Sequence, residues 1–421
     1  MNRYTKAKRR DPALRPVERV EVSEKHVGLR FAAFGLCLLV GMGALGFWLY
    51  SLLSTEPGWV DVEIATDQIH CGGQFTFRYL TGKGELSPSA ELRQVRNVYT
   101  QAAIDAYQLF STVEELENVH NIWYINNHPN EDIEVDPALY HAIQLVEERD
   151  EQEEWRARWL YFGLVNNVYD DLFFCRDDAE ARRLDPLEDP EMFQFWGELV
   201  EFACDPDQVD LKLLGDNTLR LEVSEEYQQY AQDVGRTQYI DFGWMRNAFI
   251  ADYFANRLNQ AGFYNGVIAS YDGFTRALGG DIGGQVFNVY GWEPNQSIVL
   301  CQTEFEQPVN MANLRAFPLS EQDKDRMYVY EDGTVRSAYE AVNWPVRGSI
   351  AMYSPSMECG ELALRAGAAF IGSDLHGVLP AVRQEGVETI YASPGDGVVY
   401  TEPGREFLNG YKHVEIRPFG E

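Results

Sequence analysis

The sequence predicts an α+β sandwich of layered, largely antiparallel sheets and helices, preceded by one transmembrane helix. Three observations lead there. An uncharged run fills residues 31–55, the apolar periodicity beyond it alternates between helix and strand spacing without an internal repeat, and glycine-containing turns separate neighbouring strand segments.

The run from 31 to 55 holds 25 residues without a charge. As a helix it is roughly 37 Å long, enough to cross a bilayer. Residues 1–30 carry nine Lys or Arg against four acids, so the positive-inside rule places this basic tail in the cytoplasm and residues 56–421 outside the cell membrane. Trp48 and Tyr50 suit the outer interface. A cleaved signal peptide is the competing reading, but the apolar run is long and lacks a clear small-residue cleavage pair.

Removing the five excess positive charges of the tail from the chain total of −31 leaves about −36 outside. Such a surface repels nucleic acid and anionic lipid, which excludes both as partners of the outer domain. With 13% aromatic residues the outer portion can bury a sizeable core, as one large domain or two intimate lobes. Cys71, Cys175, Cys204, Cys301 and Cys359 lie outside, with no Cys-x-x-Cys pair. Cys175 and Cys204 flank one acidic excursion and are the pair best placed for a disulfide, free buried cysteines being the alternative.

In chain order, 89–110 spaces Leu92, Val95, Val98, Ala102 and Leu109 as a helix, and 137–159 reads as a second helix with an acidic face. Residues 219–223 alternate as a strand, and Ser224 caps a short helix. After Asp241 a long helix runs to about Gly262. Strands come next near 265–270, 284–291 and 297–304, then a hairpin turning at Glu331-Asp332-Gly333. Residues 349–353 form a strand, 357–371 a helix, and 387–392 with 398–401 a closing hairpin. His120 and His128 share a polar loop but lack a third ligand, so they read as surface residues. No Walker motif or Gly-x-Ser-x-Gly elbow is present.

The richest local pattern runs from Tyr239 to Gly280. Ile240-Asp241-Phe242-Gly243 reads as a strand end that opens a helix and leads through a second strand to Ser270-Tyr271-Asp272-Gly273-Phe274, an arrangement that cradles a phosphate-bearing ligand at a helix N-terminus. This segment resembles the core of the ApbE family of flavin transferases, which read Leu-Asp-Leu-Gly-Gly-Ile-Ala-Lys-Gly-Tyr-Ala-Val-Asp and later Gly-Gly-Asp-Ile. Leu109-Phe110-Ser111-Thr112, Ile125-Asn126-Asn127 and Val135-Asp136-Pro137-Ala138-Leu139-Tyr140 resemble further family stretches in the same order, across about Ile69 to Leu408.

The resemblance implies an ApbE-like, T-fold-like architecture, FAD and Mg²⁺ as cofactors, and transfer of FMN to a Ser or Thr of a partner protein, here a membrane flavoprotein acceptor. It places the motif aspartate on Asp241 and the first glycine on Gly243. The second glycine becomes Trp244 and the lysine Asn247. Gly-Gly-Asp falls on Tyr271-Asp272-Gly273; a literal Gly279-Gly280-Asp281-Ile282 lies further on but needs an insertion. The family's Phe-Asp-Pro-Thr-Val-Gly-Pro falls on the segment that begins Leu160-Tyr161-Phe162, which makes Tyr161 a candidate cofactor contact. Its metal helix Ala-Asp-Ala-x-x-Thr falls on Gly360 to Arg365, with Glu361 as the candidate metal ligand and Arg365 standing where the threonine was, able to face a phosphate in the cation's place. Two readings stay open: a divergent FAD:protein FMN transferase, or a catalytically silent relative that binds a flavin or a membrane partner.

Overall fold

The computed structural model describes residues 27–53, 56–152, 157–293, 296–341, 348–371, 386–393, 397–410 and 414–419. The chain divides into two compact units, Met1–Thr55 and Glu56–Glu421. In the first, Val27–Leu53 is a single helix. Among the described residues no helix is long and apolar enough to cross a membrane. The expected span at 31–55 falls partly outside the residues whose side chains are described, and the basic tail up to residue 26 wholly so.

The second unit is organised by a 9-stranded sheet whose spatial order runs with the chain. Its strands are β1 (Gly58–Asp61), β2 (Phe75–Thr81), β3 (Gly266–Ser270), β4 (Phe274–Ala277), β5 (Asn310–Arg315), β6 (Ser349–Ser354), β7 (Glu388–Ala392), β8 (Val398–Thr401) and β9 (Glu415–Pro418). All neighbours pair antiparallel except β8 with β9, which run parallel. Four helices carry the candidate residues or pack beside them: α1 (Pro88–Phe110), α2 (Pro137–Gln152), α3 (Arg246–Gln260) and α4 (Cys359–Phe370).

Alternation along the strands sorts the two faces. Ala312, Leu314, Ile350 and Met352 join the large core shared with α1, α3 and α4. Met311, Ala351, Tyr353 and Ile390 turn the other way, into a smaller core under the hairpin Gln285–Glu293 and Gln296–Phe305. The architecture is therefore α+β and layered, as the sequence implies.

Differences from expectation are local. The second helix is described from Pro137 to Gln152, residues 153–156 lie outside the described ones, and Arg158 takes φ +49, a left-handed conformation that keeps a helix from running through to 159 as expected. Its guanidinium, buried over the Tyr161 ring, donates to the carbonyls of Ala203 and Val209, and this tertiary clamp outweighs the propensity. The expected disulfide is absent. Cys175 and Cys204 are free thiols, the first donating to the Asp171 carbonyl within its own turn and the second ending the helix Pro190–Cys204. His120 and His128 stack on opposite sides of Tyr124, with ring centroids 4.2 and 3.9 Å away, so they cannot share a metal.

Candidate functional site

The turn at Asp241 is built by side chains rather than by a sheet. The strand expected before it is an irregular segment with no strand pairing. Asn126 donates to the Ile240 carbonyl at 2.9 Å and accepts from the Ile240 N–H at 2.8 Å, while the Asp241 N–H reaches Leu160 O at 2.9 Å. These bonds satisfy the backbone as a strand partner would. The chain then enters a short 3-10 turn, Gly243–Met245, before α3. Gly243 holds φ +49, and a Cβ there would stand 2.7 Å from Asn166 Nδ2. Glycine takes this left-handed conformation most readily, and a side chain here would have to displace the Asn166 amide.

Asp241 is buried and accepts from Gln238 Nε2 at 3.3 Å through one oxygen. Burial raises its pKa, against the opposing charge of Arg246 and the N–H groups of Gly243 and Phe242. One turn into α3, Asn247 donates to Asp272 Oδ2 at 3.0 Å, and Arg326 reaches the same oxygen at 2.5 Å. Asn247 and Asp272 thus meet although 25 residues apart. Each keeps one oxygen unpaired. Next to them Gly273 has φ +115, and a Cβ would lie 2.1 Å from the Asn313 carbonyl oxygen on β5. Arg315, fully buried, donates to Tyr271 O and pairs with Asp323, both at 2.7 Å. The Gly279-Gly280 turn instead comes after β4, where Gly280 N–H donates to the Tyr264 carbonyl just before β3, at the opposite end of the β3–β4 hairpin from Asp272.

Trp244 does not stand in an open site. Its indole is buried against Trp159, with ring centroids 5.3 Å apart, and Tyr339, 5.8 Å. A Cβ on Gly367 of α4 would lie 2.5 Å from the indole. The residue is a core plug between the turn and α4. On α4 itself, Arg365 and Glu361 pair with one another at 2.6 Å, one helical turn apart. Tyr161 is carried by the segment that holds Asp241, but its hydroxyl donates to Glu147 at 3.0 Å and accepts from the Leu211 N–H at 3.0 Å, in a cleft with Arg158 and Asp210. The structure therefore brings Asp241, Gly243, Trp244, Asn247, Asp272 and Gly273 into one neighbourhood and sends Tyr161 to another.

Two residues beyond the candidates do structural work there. Asn126 supplies the clamp on Ile240. Asp252, eleven residues after Asp241, stands where the flavin-transferase motif ends in aspartate, and that letter was the available signal. Its carboxylate accepts from the N–H groups of Cys359, 2.9 Å, and Gly360, 2.7 Å, at the start of α4, and pairs with Arg276 at 2.8 Å. It fixes α3 to α4 through the helix dipole.

Three carboxyls, the buried Asp252 and Glu340 and the half-buried Asp170, are pushed up to about 7. Asp170 is raised by burial and then by the charge of Asp241, Asp252 by burial against Arg276, and Glu340 by burial against Arg336. A raised folded-state pKa means that the folded chain keeps protons which the unfolded chain has released, between about pH 4 and pH 7. Their contribution to stability is thus greatest at the acid end and declines as pH rises through 7. Urea midpoints are expected to be higher at pH 5 than at pH 7.5; equal midpoints, or the reverse order, would contradict this.

No family model matches the sequence, and no curated protein matches it significantly. Solved structures do match. An ApbE protein from Thermotoga maritima superposes with a TM-score of 0.53 at 16% identity, over 80% of this chain and 94% of that one. The flavin transferase ApbE from Vibrio cholerae gives 0.52 at 12% identity, over 80% and 94%. A histidine-to-glycine variant of the same Vibrio enzyme gives 0.51 at 11%, over 82% and 97%. The chain is a divergent example of the ApbE fold.

Proposed function

We propose that this protein is a membrane-anchored, extracytoplasmic ApbE-fold scaffold that has given up flavin transfer and acts by binding a partner at the membrane. The observation that carries this reading is the buried Trp244 indole, which fills with protein the space that a glycine leaves for a ligand's close approach.

The residues at the neighbouring positions do not fit FAD with magnesium. A pyrophosphate needs donors and a cation. Here the lysine of the motif is replaced by an amide already committed to Asp272, and the guanidinium on the same carboxylate, Arg326, is held by it as an ion pair. Glu361 is neutralised by Arg365 on its own helix. No reaction step is assigned to either group. A divergent FMN transferase is the second reading, supported by the fold and by Gly243, Gly273 and Asp252, which keep the frame of the turn.

Two experiments test the proposal. Protease added to intact cells is expected to remove material beyond residue 56 and spare an N-terminal tag; a protected outer unit would refute the topology. Incubation with FAD, Mg²⁺ and acceptor proteins is expected to leave no covalent flavin fluorescence on a denaturing gel, whereas a labelled acceptor band would restore the transferase reading.

A further inference from the structure

Away from the Asp241 turn, α2 and α3 face each other across a cavity of about 450 Å³. Its walls repeat at helical spacing: Ala138, His141, Ala142 and Leu145 on α2, and Phe249, Tyr253, Asn256 and Gln260 on α3. Phe110 from the end of α1 adds another ring. Ala138 and Ala142 present only methyl groups to this space. The candidate residues Asp241, Asn247, Asp272, Glu361 and Arg365 do not line it. Its volume lies within the range of small-ligand sites, and apolar walls with a few polar groups are what such sites have in common.

The charges around it are unbalanced. Asp136 and Glu358 bring carboxylates to its rim, Asp252 lies buried against the start of α4 and Arg276, and Arg257 is the basic residue among those lining the cavity. Arg257 is engaged by Asp105 at 3.3 Å. Arg276 serves Asp252 and Glu358 together, at 2.8 and 3.2 Å. Asp136 is exposed and spends one oxygen on the Ala138 N–H, 2.8 Å away. The chain as a whole carries −31. An aromatic-walled cavity with an acidic rim attracts a cation attached to a ring and turns away carboxylates and phosphates.

We propose that the cavity between α2 and α3 is a binding site for a small aromatic cation, a flat ring system bearing an amine or amidine. The ring lies among Phe110, Leu145 and Phe249, and the charged group meets Asp136 and Glu358. The site shares Asp252 with the flavin-transferase motif but no residue with the Asp241 turn, and its test reads amine binding rather than any reaction of FAD.

The test uses the full-length chain in detergent micelles, with tryptamine as the probe and indole-3-propionate as its anionic counterpart, each titrated by calorimetry. Tryptamine is expected to bind with a dissociation constant on the order of 0.1 mM, the scale for a ligand of that size, and indole-3-propionate at least about 10-fold more weakly. Ala138→Phe, which fills the cavity from a half-buried position, is expected to abolish tryptamine binding while a melting curve reports the fold. If that variant does not fold, Asp136→Asn with Glu358→Gln decides, by closing the gap between the two probes. No tryptamine binding at millimolar concentration, equal affinity for both probes, or binding indifferent to these substitutions would overturn the proposal.

Discussion

Gly273→Ala is expected to destabilise the outer unit by about 4 kcal/mol or more, at the far end of single-substitution effects. Two penalties combine. Alanine at φ +115 is strained in itself, by about 1–3 kcal/mol. Its methyl would also lie 2.1 Å from the Asn313 carbonyl and 2.9 Å from the Arg315 guanidinium. Neither neighbour yields cheaply. Asn313 is held in register between β4 and β6, and its own N–H is bonded to the Gly273 carbonyl at 2.9 Å. Arg315 belongs to a buried ion pair with Asp323, and disturbing one member of such a pair costs about 3–5 kcal/mol. Urea denaturation of the purified protein measures the loss; a change under about 1 kcal/mol would mean that β5 does not pack tightly against this turn.

Trp244→Gly restores the glycine of the flavin-transferase motif and is expected to weaken the protein rather than to reactivate it. Removing a buried indole costs about 3–5 kcal/mol in lost transfer energy and cavity formation. The gap would open between Trp159, Tyr339 and α4, three elements now tied together through this side chain. The indole N–H has no hydrogen-bond partner, which returns part of that energy. Turnover of FAD is expected to stay absent, because Asn247 remains tied to Asp272 and Arg365 to Glu361. A melting curve together with an FAD assay reports both effects. A variant of unchanged stability that consumes FAD would show that the indole merely covers an intact site.

The range of each interaction decided whether it could be read from the sequence. Helix α1 was legible because its apolar residues repeat at the period of its own geometry, and Ser224 because a cap acts on its own helix, here through the Tyr227 N–H at 3.0 Å. The left-handed stop at Arg158 was not, since it depends on carbonyls at 203 and 209. The strand expected before Asp241 is replaced by a clamp on Ile240 from Asn126, 114 residues before it. The glycines at 243 and 273 were legible as turn residues; their second reason, contact with Asn166 and Asn313, was not. Trp244 and Arg365 were visible as departures from a motif, but only the packed structure shows that the first has become core and the second an intrahelical partner of Glu361. Asp252 escaped notice because its role lies in the start of α4, which the motif does not contain.

The proposed loss of flavin transfer at the Asp241 turn is tested most directly by release of AMP from FAD. Full-length protein is incubated with FAD at several magnesium concentrations, and AMP is separated and quantified. No release above the protein-free control is expected at any magnesium concentration. Magnesium-dependent, enzyme-proportional AMP release by the unmodified protein would contradict that loss.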